Sequence, residues 1–133
     1  MKTFSKRVLF WTPRVLSIAF IAFLSIFALD VFDGKLGFWQ SILAFLIHEI
    51  PVFVLIAVLV LAWRWEWIGA ALYAAAGSLY IAWVLTAVHG PFDRMPAAAR
   101  VIAILGIAGP AFVIAGLFLA NWLKRGELRA PER

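Results

Sequence analysis

The chain has 133 residues, of which 65% are hydrophobic and 14% are charged, and its formal net charge is +5. This composition and a mean hydropathy of +1.00 exclude an ordinary soluble domain and predict an integral membrane protein. The absence of cysteine excludes disulfide bonds and thiolate chemistry. Because the basic residues concentrate near the termini, beside apolar segments, we expect them to contact lipid headgroups and expect no nucleic acid partner.

Four apolar segments follow one another along the chain and predict four transmembrane helices, at about residues 10–30, 38–62, 67–88 and 99–123. The first segment could also start a secretory signal, but it lacks an Ala-x-Ala cleavage pattern, so we expect it to remain as a helix. Short turns make consecutive helices antiparallel neighbours. The expected fold is therefore an all-α, up-down-up-down bundle that forms a single integral membrane domain over residues 1–133.

The distribution of Lys and Arg predicts the orientation of this bundle, because cytoplasmic loops of membrane proteins carry an excess of both. Nine basic residues fall on the side that holds both termini, and three fall on the other side. We therefore expect both termini in the cytoplasm and the protein in a prokaryotic inner membrane. The nine are Lys2, Lys6, Arg7, Arg14, Arg64, Lys124, Arg125, Arg129 and Arg133, and the three are Lys35, Arg94 and Arg100.

The second segment contains His48 and Glu49, two ionisable residues near the middle of an apolar run. Ionisable groups at membrane depth are expensive and mark candidate functional sites. The sixteen Leu, Ile, Val and Phe residues of the segment favour insertion by about 5–10 kcal/mol, against a cost of about 2.5–3.5 kcal/mol for the glutamate. We therefore expect the segment to insert despite Glu49.

Helical spacing predicts the directions of these side chains. His48 falls on a stripe of small and polar residues, so we expect it to face the bundle interior, and Glu49 about a quarter-turn away, toward another subunit. Pro51 removes a backbone N–H and pushes against the carbonyl of Ile47. Ser78 of the third helix falls at a similar depth and is a candidate hydrogen-bond partner of His48. The predicted intramembrane polar site is thus His48, Glu49, Pro51 and Ser78.

A run of alternating tryptophans, Trp63-Arg64-Trp65-Glu66-Trp67, follows the second segment. Tryptophan prefers the headgroup layer, so all five residues are predicted to be interfacial anchors. Together with the upstream His48-x-x-Pro51, the run Trp-Arg-Trp-Glu-Trp-Ile-Gly resembles a family of short, uncharacterised prokaryotic membrane proteins with four predicted helices. The resemblance covers mainly the second and third helices. It implies the fold and no activity.

Three functions remain open. The first is a non-enzymatic membrane protein that acts by helix–helix association, as a homo-oligomer or as an accessory subunit of a larger complex. The second is a proton- or cation-coupled transporter or channel that uses His48 and Glu49. The third is haem or chlorophyll binding through His48, because neutral imidazole ligates such metals. A single intramembrane histidine is also commonly an ordinary interhelical hydrogen-bond partner.

No phosphate loop, metalloprotease motif, nucleophile–base spacing or dinucleotide fingerprint occurs in the sequence. We therefore expect no enzymatic activity, no catalytic residue and no metal site. The sequence leaves the cofactor unknown. The expected partners are the lipid bilayer and either other membrane subunits or further copies of the chain.

Overall fold

The computed structural model describes residues 3–32, 34–86 and 92–129, and within these ranges the protein contains helices and no β-strand. The prediction of an all-helical fold is confirmed. The helices are α1 (Thr3–Ala28), the 3₁₀ helix η1 (Leu29–Phe32), α2 (Phe38–His48), α3 (Ile50–Arg64), α4 (Glu66–Thr86), α5 (Ala97–Leu123) and α6 (Arg125–Arg129).

Three stretches are long and apolar enough to cross a membrane: Ser5–Phe32, Glu66–Thr86 and Ala97–Leu123. Helices α2 and α3 become a fourth candidate if they are counted as one span, although they are bent by 42° at their junction. At 1.5 Å per residue, α2 and α3 alone are only about 17 and 23 Å long, which is less than the hydrocarbon thickness of about 30 Å. Only the pair together has the length of a span.

The junction of α2 and α3 corrects the predicted second helix, which was expected to be continuous from 38 to 62. The helix breaks at Glu49, two residues before Pro51. Proline has no N–H to donate to the carbonyl four residues earlier, and its ring pushes that carbonyl away. The surrounding hydrogen bonds persist, since the Glu49 N–H donates to the Phe45 carbonyl at 2.9 Å and the Phe53 N–H donates to the Glu49 carbonyl at 2.9 Å.

The other predicted boundaries differ by smaller amounts. Helix α1 begins at Thr3 instead of about residue 10, because its polar first turns continue the helix beyond the apolar run. Helix α5 begins at Ala97, two residues earlier than expected. The predicted end of the third helix, near residue 88, lies outside the described residues, which end at Thr86 before that gap.

Helices α1, α3, α4 and α5 contact one another in a closed ring, in which α4 and α5 make the most extensive contact. Helix α2 makes its main contacts with η1 and α3. Close approach inside the ring requires glycine at position 69, because a Cβ there would lie 2.5 Å from the Ala62 Cβ and 3.1 Å from the Phe118 ring. The largest core side chains of the ring are Phe20, Leu55, Leu59, Tyr73, Ile114 and Phe118.

Candidate functional site

Glu49 is buried at the junction of α2 and α3, where its side chain reaches α1. The residue is only 4% exposed, and the Ser25 hydroxyl donates to Glu49 Oε2 at 3.4 Å. The same hydroxyl has a nearer acceptor, the Ile21 carbonyl at 3.1 Å, and it has one proton to donate. Among the described residues, Glu49 Oε1 has no hydrogen-bond partner. Glu49 is therefore a buried carboxyl group whose hydrogen-bonding capacity is mostly unused.

His48 and Ser78, the expected partners inside the bundle, are both exposed and bond within their own helices. His48 Nδ1 lies 2.9 Å from the Ala44 carbonyl, and the Ser78 hydroxyl donates to the Ala74 carbonyl at 2.9 Å. Because a carbonyl can only accept, Nδ1 carries the proton in this contact, which makes Nε2 the accepting nitrogen of the neutral ring. The structure does not join His48 to Ser78.

Glu49 therefore faces its own bundle, contrary to the expectation that it points toward another subunit, while His48 is exposed. The reason lies in the neighbours of α2. Phe45, four residues before Glu49 and on the same helical face, packs on Phe32 of η1 with ring centroids 5.5 Å apart. That contact turns the Phe45–Glu49 face toward α1 and η1.

His48 and Pro51 lie at the wall of a lateral apolar cavity of about 390 Å³ that is open to the outside. Its wall is formed by residues of five helices, α1 to α5, whereas Ser78 does not line it. Of the four residues of the predicted polar site, His48 and Pro51 therefore share this cavity, Glu49 points to Ser25, and Ser78 is separate. The other lining residues include Leu24, Leu55, Tyr80, Trp83 and Ile107.

A second polar site centres on Arg14, which is completely buried. Arg14 Nη2 lies 3.6 Å from Glu66 Oε1 and donates to the Trp63 carbonyl at 3.4 Å. Arg14 Nη1 donates to the Phe10 carbonyl, and the guanidinium carbon lies 3.6 Å from the centre of the Phe10 ring. The side chains of Arg14 and Glu66 are 0% and 6% exposed, so this is an ion pair shielded from solvent.

Further buried polar side chains surround this ion pair. The Asn121 amide donates to the Phe10 carbonyl at 3.4 Å, and the Ser17 hydroxyl donates to the Pro13 carbonyl at 2.6 Å. Tyr73 is also buried, and its hydroxyl has no hydrogen-bond partner among the described residues. These contacts link α1 to the end of α3, the start of α4 and the end of α5. We call Arg14, Ser17, Glu66, Tyr73 and Asn121 the Arg14 cluster.

Sequence reasoning missed the Arg14 cluster, since it counted Arg14 as an orientation signal and Glu66 as an interfacial anchor. One signal was available. Arg14 lies inside the apolar stretch Ser5–Phe32 and Glu66 opens the apolar stretch Glu66–Thr86, so two candidate spans carry charges of opposite sign. Opposite charges near the ends of two apolar helices are candidates for an ion pair.

The tryptophan run forms part of a third feature, an open pocket of about 590 Å³. The Arg64 guanidinium carbon lies 5.6 Å from the centre of the Trp65 ring, and that of Arg125 lies 5.9 Å from the Trp122 ring. Of the five predicted anchors, the three tryptophans and Arg64 are exposed, whereas Glu66 is buried in its ion pair. We call this the tryptophan pocket; its lining residues are Trp63, Arg64, Trp65, Glu66, Trp67, Trp122 and Arg125.

The fold and these sites define an all-helical protein with three to four candidate membrane spans and two buried glutamates. The chain belongs to the family described as a domain of unknown function (DUF7670), which matches residues 1–129. No curated protein and no solved structure matches it. The expected resemblance to an uncharacterised family is confirmed to that extent, while its two motifs and its prokaryotic origin stay predictions.

Proposed function

We propose that the protein is a small, non-enzymatic integral membrane protein that acts by helix–helix association, as a homo-oligomer or as an accessory subunit of a larger membrane complex. One observation carries the proposal. Three glycines of α5, Gly106, Gly109 and Gly116, have open space beside the backbone, so that a Cβ at any of them would meet no atom within 4 Å.

The two glycines inside α4 show how the chain uses this residue when it packs on itself. A Cβ at Gly69 would lie 2.5 Å from Ala62, and a Cβ at Gly77 would lie 3.2 Å from the Phe112 ring. Glycine destabilises a helix by about 1 kcal/mol relative to alanine, and in membranes it permits close approach of two helices. The α5 glycines have no such neighbour within the described chain. A helix of another chain would supply it.

The membrane location in this proposal is supported by the apolar surface of the bundle. Large side chains such as Trp39, Leu79 and Ile102 are 78%, 70% and 71% exposed. Many large apolar side chains exposed at once are unfavourable in water and ordinary against lipid. The family match over nearly the whole chain supports a single membrane domain.

The contacts of the Arg14 cluster support the alternating topology. The Phe10 carbonyl accepts from Asn121, and Arg14 donates to the Trp63 carbonyl, so the start of α1 lies beside the ends of α3 and α5. We propose an up-down-up-down bundle with both termini at this end. The excess of Lys and Arg near the termini favours the cytoplasmic side of a prokaryotic inner membrane for them.

The test replaces Gly109 and Gly116 by leucine and measures association by crosslinking in native membranes and by mass in mild detergent. We expect the dissociation constant of the complex to rise about tenfold or more. The fold of the single chain should persist, because the new Cβ atoms meet nothing. The matched control is Ala57→Leu, which adds a leucine side chain at an exposed position on α3. A wild-type chain that remains a lone monomer in both measurements would contradict the proposal.

Glu49 favours proton- or cation-coupled transport as a second candidate. Its carboxyl group is buried at a helix break, and Oε1 has no hydrogen-bond partner among the described residues. Discontinuous membrane helices often form ion and substrate sites in transporters. In proteoliposomes, the proton- or cation-coupled flux of the wild-type protein should disappear in Glu49→Gln. It should persist in the control Ser78→Ala, which removes an exposed hydroxyl that bonds within its own helix. Flux that survives Glu49→Gln would rule out coupling through this residue.

A further inference from the structure

We infer that the tryptophan pocket binds the phosphate headgroup of an anionic phospholipid. The inference rests on the membrane location proposed above, and it is independent of whether the chain associates with a second chain. The charge of the pocket and the chemistry of its lining side chains support the inference.

The charge of the pocket is set by Arg64 and Arg125. Both side chains are exposed, and each guanidinium lies over the ring of a tryptophan that also lines the pocket. Among the side chains that the structure describes, no carboxylate forms an ion pair with either arginine. The pocket therefore presents two guanidinium groups to whatever enters it.

Glu66 is the acidic residue among the lining residues, and its charge is directed away from the pocket. Its carboxylate lies 3.6 Å from Arg14 Nη2, and its side chain is only 6% exposed. An ion pair leaves little net charge to act on a third group at larger distance. Arg14 thus offsets the one negative charge among the described lining residues, and Arg64 and Arg125 leave this part of the pocket positively charged.

The side chains that line the pocket indicate whether it binds an anion or a cation. A cage of tryptophans without the arginines would suit a quaternary ammonium such as choline, through cation–π attraction. Two guanidinium groups repel that cation, and they match the oxygens of a phosphate with paired N–H donors. A volume of about 590 Å³ exceeds what a phosphate ion alone requires, and the indole rings offer apolar surface to the adjoining glycerol and acyl carbons.

The experiment titrates the full chain, purified in a neutral detergent, with short-chain phosphatidylglycerol and with short-chain phosphatidylcholine. Binding is read from tryptophan fluorescence and from lipid retained in native mass spectra. We expect phosphatidylglycerol to bind about tenfold or more tightly than phosphatidylcholine. A third titration uses sodium phosphate, which we expect to compete only weakly. Equal affinity for both lipids would overturn the inference, and sodium phosphate that binds as tightly as the lipid would overturn the lipid as its source.

Variants separate this pocket from general surface charge. Arg64→Gln and Arg125→Gln should each weaken phosphatidylglycerol binding about tenfold, the scale of one charge-assisted hydrogen bond. The matched control is Lys124→Gln, which removes the same charge beside Arg125 from an exposed residue outside the pocket lining. We expect it to weaken binding less than about twofold, since an exposed lysine outside the lining contributes only a weak, solvent-exposed charge interaction. An equal loss in Lys124→Gln would overturn the inference.

Two readouts keep the result interpretable. Thermal unfolding of each variant should match the wild-type chain, because both arginines are exposed, and either arginine variant alone suffices if the other unfolds. The native mass spectra also report whether the chain is a monomer. Lipid bound to a monomer would leave the headgroup site standing while the association proposal fails, and an oligomer without lipid preference would do the reverse.

Discussion

Among the described residues two glutamates are buried, and their surroundings differ. Glu66 faces a buried arginine at 3.6 Å, in a cluster that links four helices. Glu49 faces the Ser25 hydroxyl at 3.4 Å, and that hydroxyl has a nearer carbonyl acceptor at 3.1 Å. One carboxylate has a full counter-charge, and the other has part of one hydrogen bond.

The difference indicates different roles. A buried ion pair with additional hydrogen bonds fixes the relative positions of the helices that carry it, and it becomes a liability only when one partner is removed. A buried carboxyl group with unused hydrogen-bonding capacity lowers stability and is retained, as a rule, for what it does. Glu66 thus belongs to the architecture of the bundle, and Glu49 is the stronger candidate for function.

The largest expected effect comes from Arg14→Leu, which leaves Glu66 buried without its cation. We expect a loss of about 3–5 kcal/mol in the free energy of unfolding, because an uncompensated buried charge is strongly destabilising. Reversible unfolding in mixed micelles measures it. Arg64→Gln, at an exposed arginine, should change stability by less than about 0.5 kcal/mol. If Arg14→Leu also lowered the free energy of unfolding by less than about 0.5 kcal/mol, the Arg14–Glu66 pair would contribute no more than a weak surface ion pair.

Replacing both partners tests whether the damage arises from the unpaired charge. The double variant Arg14→Leu with Glu66→Leu should lie within about 1–2 kcal/mol of the wild-type chain, since apolar replacement of a whole buried pair is often nearly neutral. The double-mutant cycle then gives a coupling energy of a few kcal/mol, measured by the same unfolding assay. Additive losses in the two single variants would show that the two side chains act independently.

Glu49→Leu should have the opposite sign. Removing a half-satisfied carboxyl group at a buried position is expected to leave stability unchanged or to raise it by about 1 kcal/mol. The Ser25 hydroxyl keeps the Ile21 carbonyl as its acceptor, so the substitution leaves no orphaned donor. Thermal unfolding in detergent measures the change. A loss above about 2 kcal/mol would make Glu49 a structural residue like Glu66.

The smallest effect is expected for Ser25→Ala, which removes the hydroxyl shared between Ile21 and Glu49. Interhelical hydrogen bonds of this kind average about 0.6 kcal/mol, and this one competes with an acceptor in its own helix. We expect Ser25→Ala to change the free energy of unfolding by less than about 0.5 kcal/mol, and the exposed control Ser78→Ala to leave it unchanged; thermal unfolding in detergent measures both. A loss above about 1.5 kcal/mol would show that Glu49 depends on Ser25 more than the geometry indicates.

The sequence predicted the helical class and the approximate spans, because apolar runs of about 20 residues carry that information directly. It also marked Pro51 as a weak point, although the break itself falls at Glu49. The direction of Glu49 could not be predicted, since it depends on which element packs against α2. Helical spacing shows which residues share a face, but the contact of Phe45 with Phe32 decides which face turns inward.

The Arg14–Glu66 ion pair could not be predicted from the sequence for a related reason. The two residues are far apart in the chain, and only the closed ring of helices, in which α1 packs on α3 and α5, brings their side chains together. Local rules assigned each of them to the membrane surface, where single charges near helix ends are usually found. The tryptophan run was assigned to an interface, and its grouping with Trp122 and Arg125 depends on the same packing of distant segments.

The Arg14–Glu66 pair also has a consequence for the order in which the chain assembles. In the membrane location proposed above, Arg14 is synthesised before Glu66, so α1 would enter the bilayer with an uncompensated guanidinium. Until its partner arrives, that long side chain must reach toward the headgroups to stay hydrated. The guanidinium can leave water only after the beginning of α4 has been synthesised. The first helix made is therefore among the last to reach its final place.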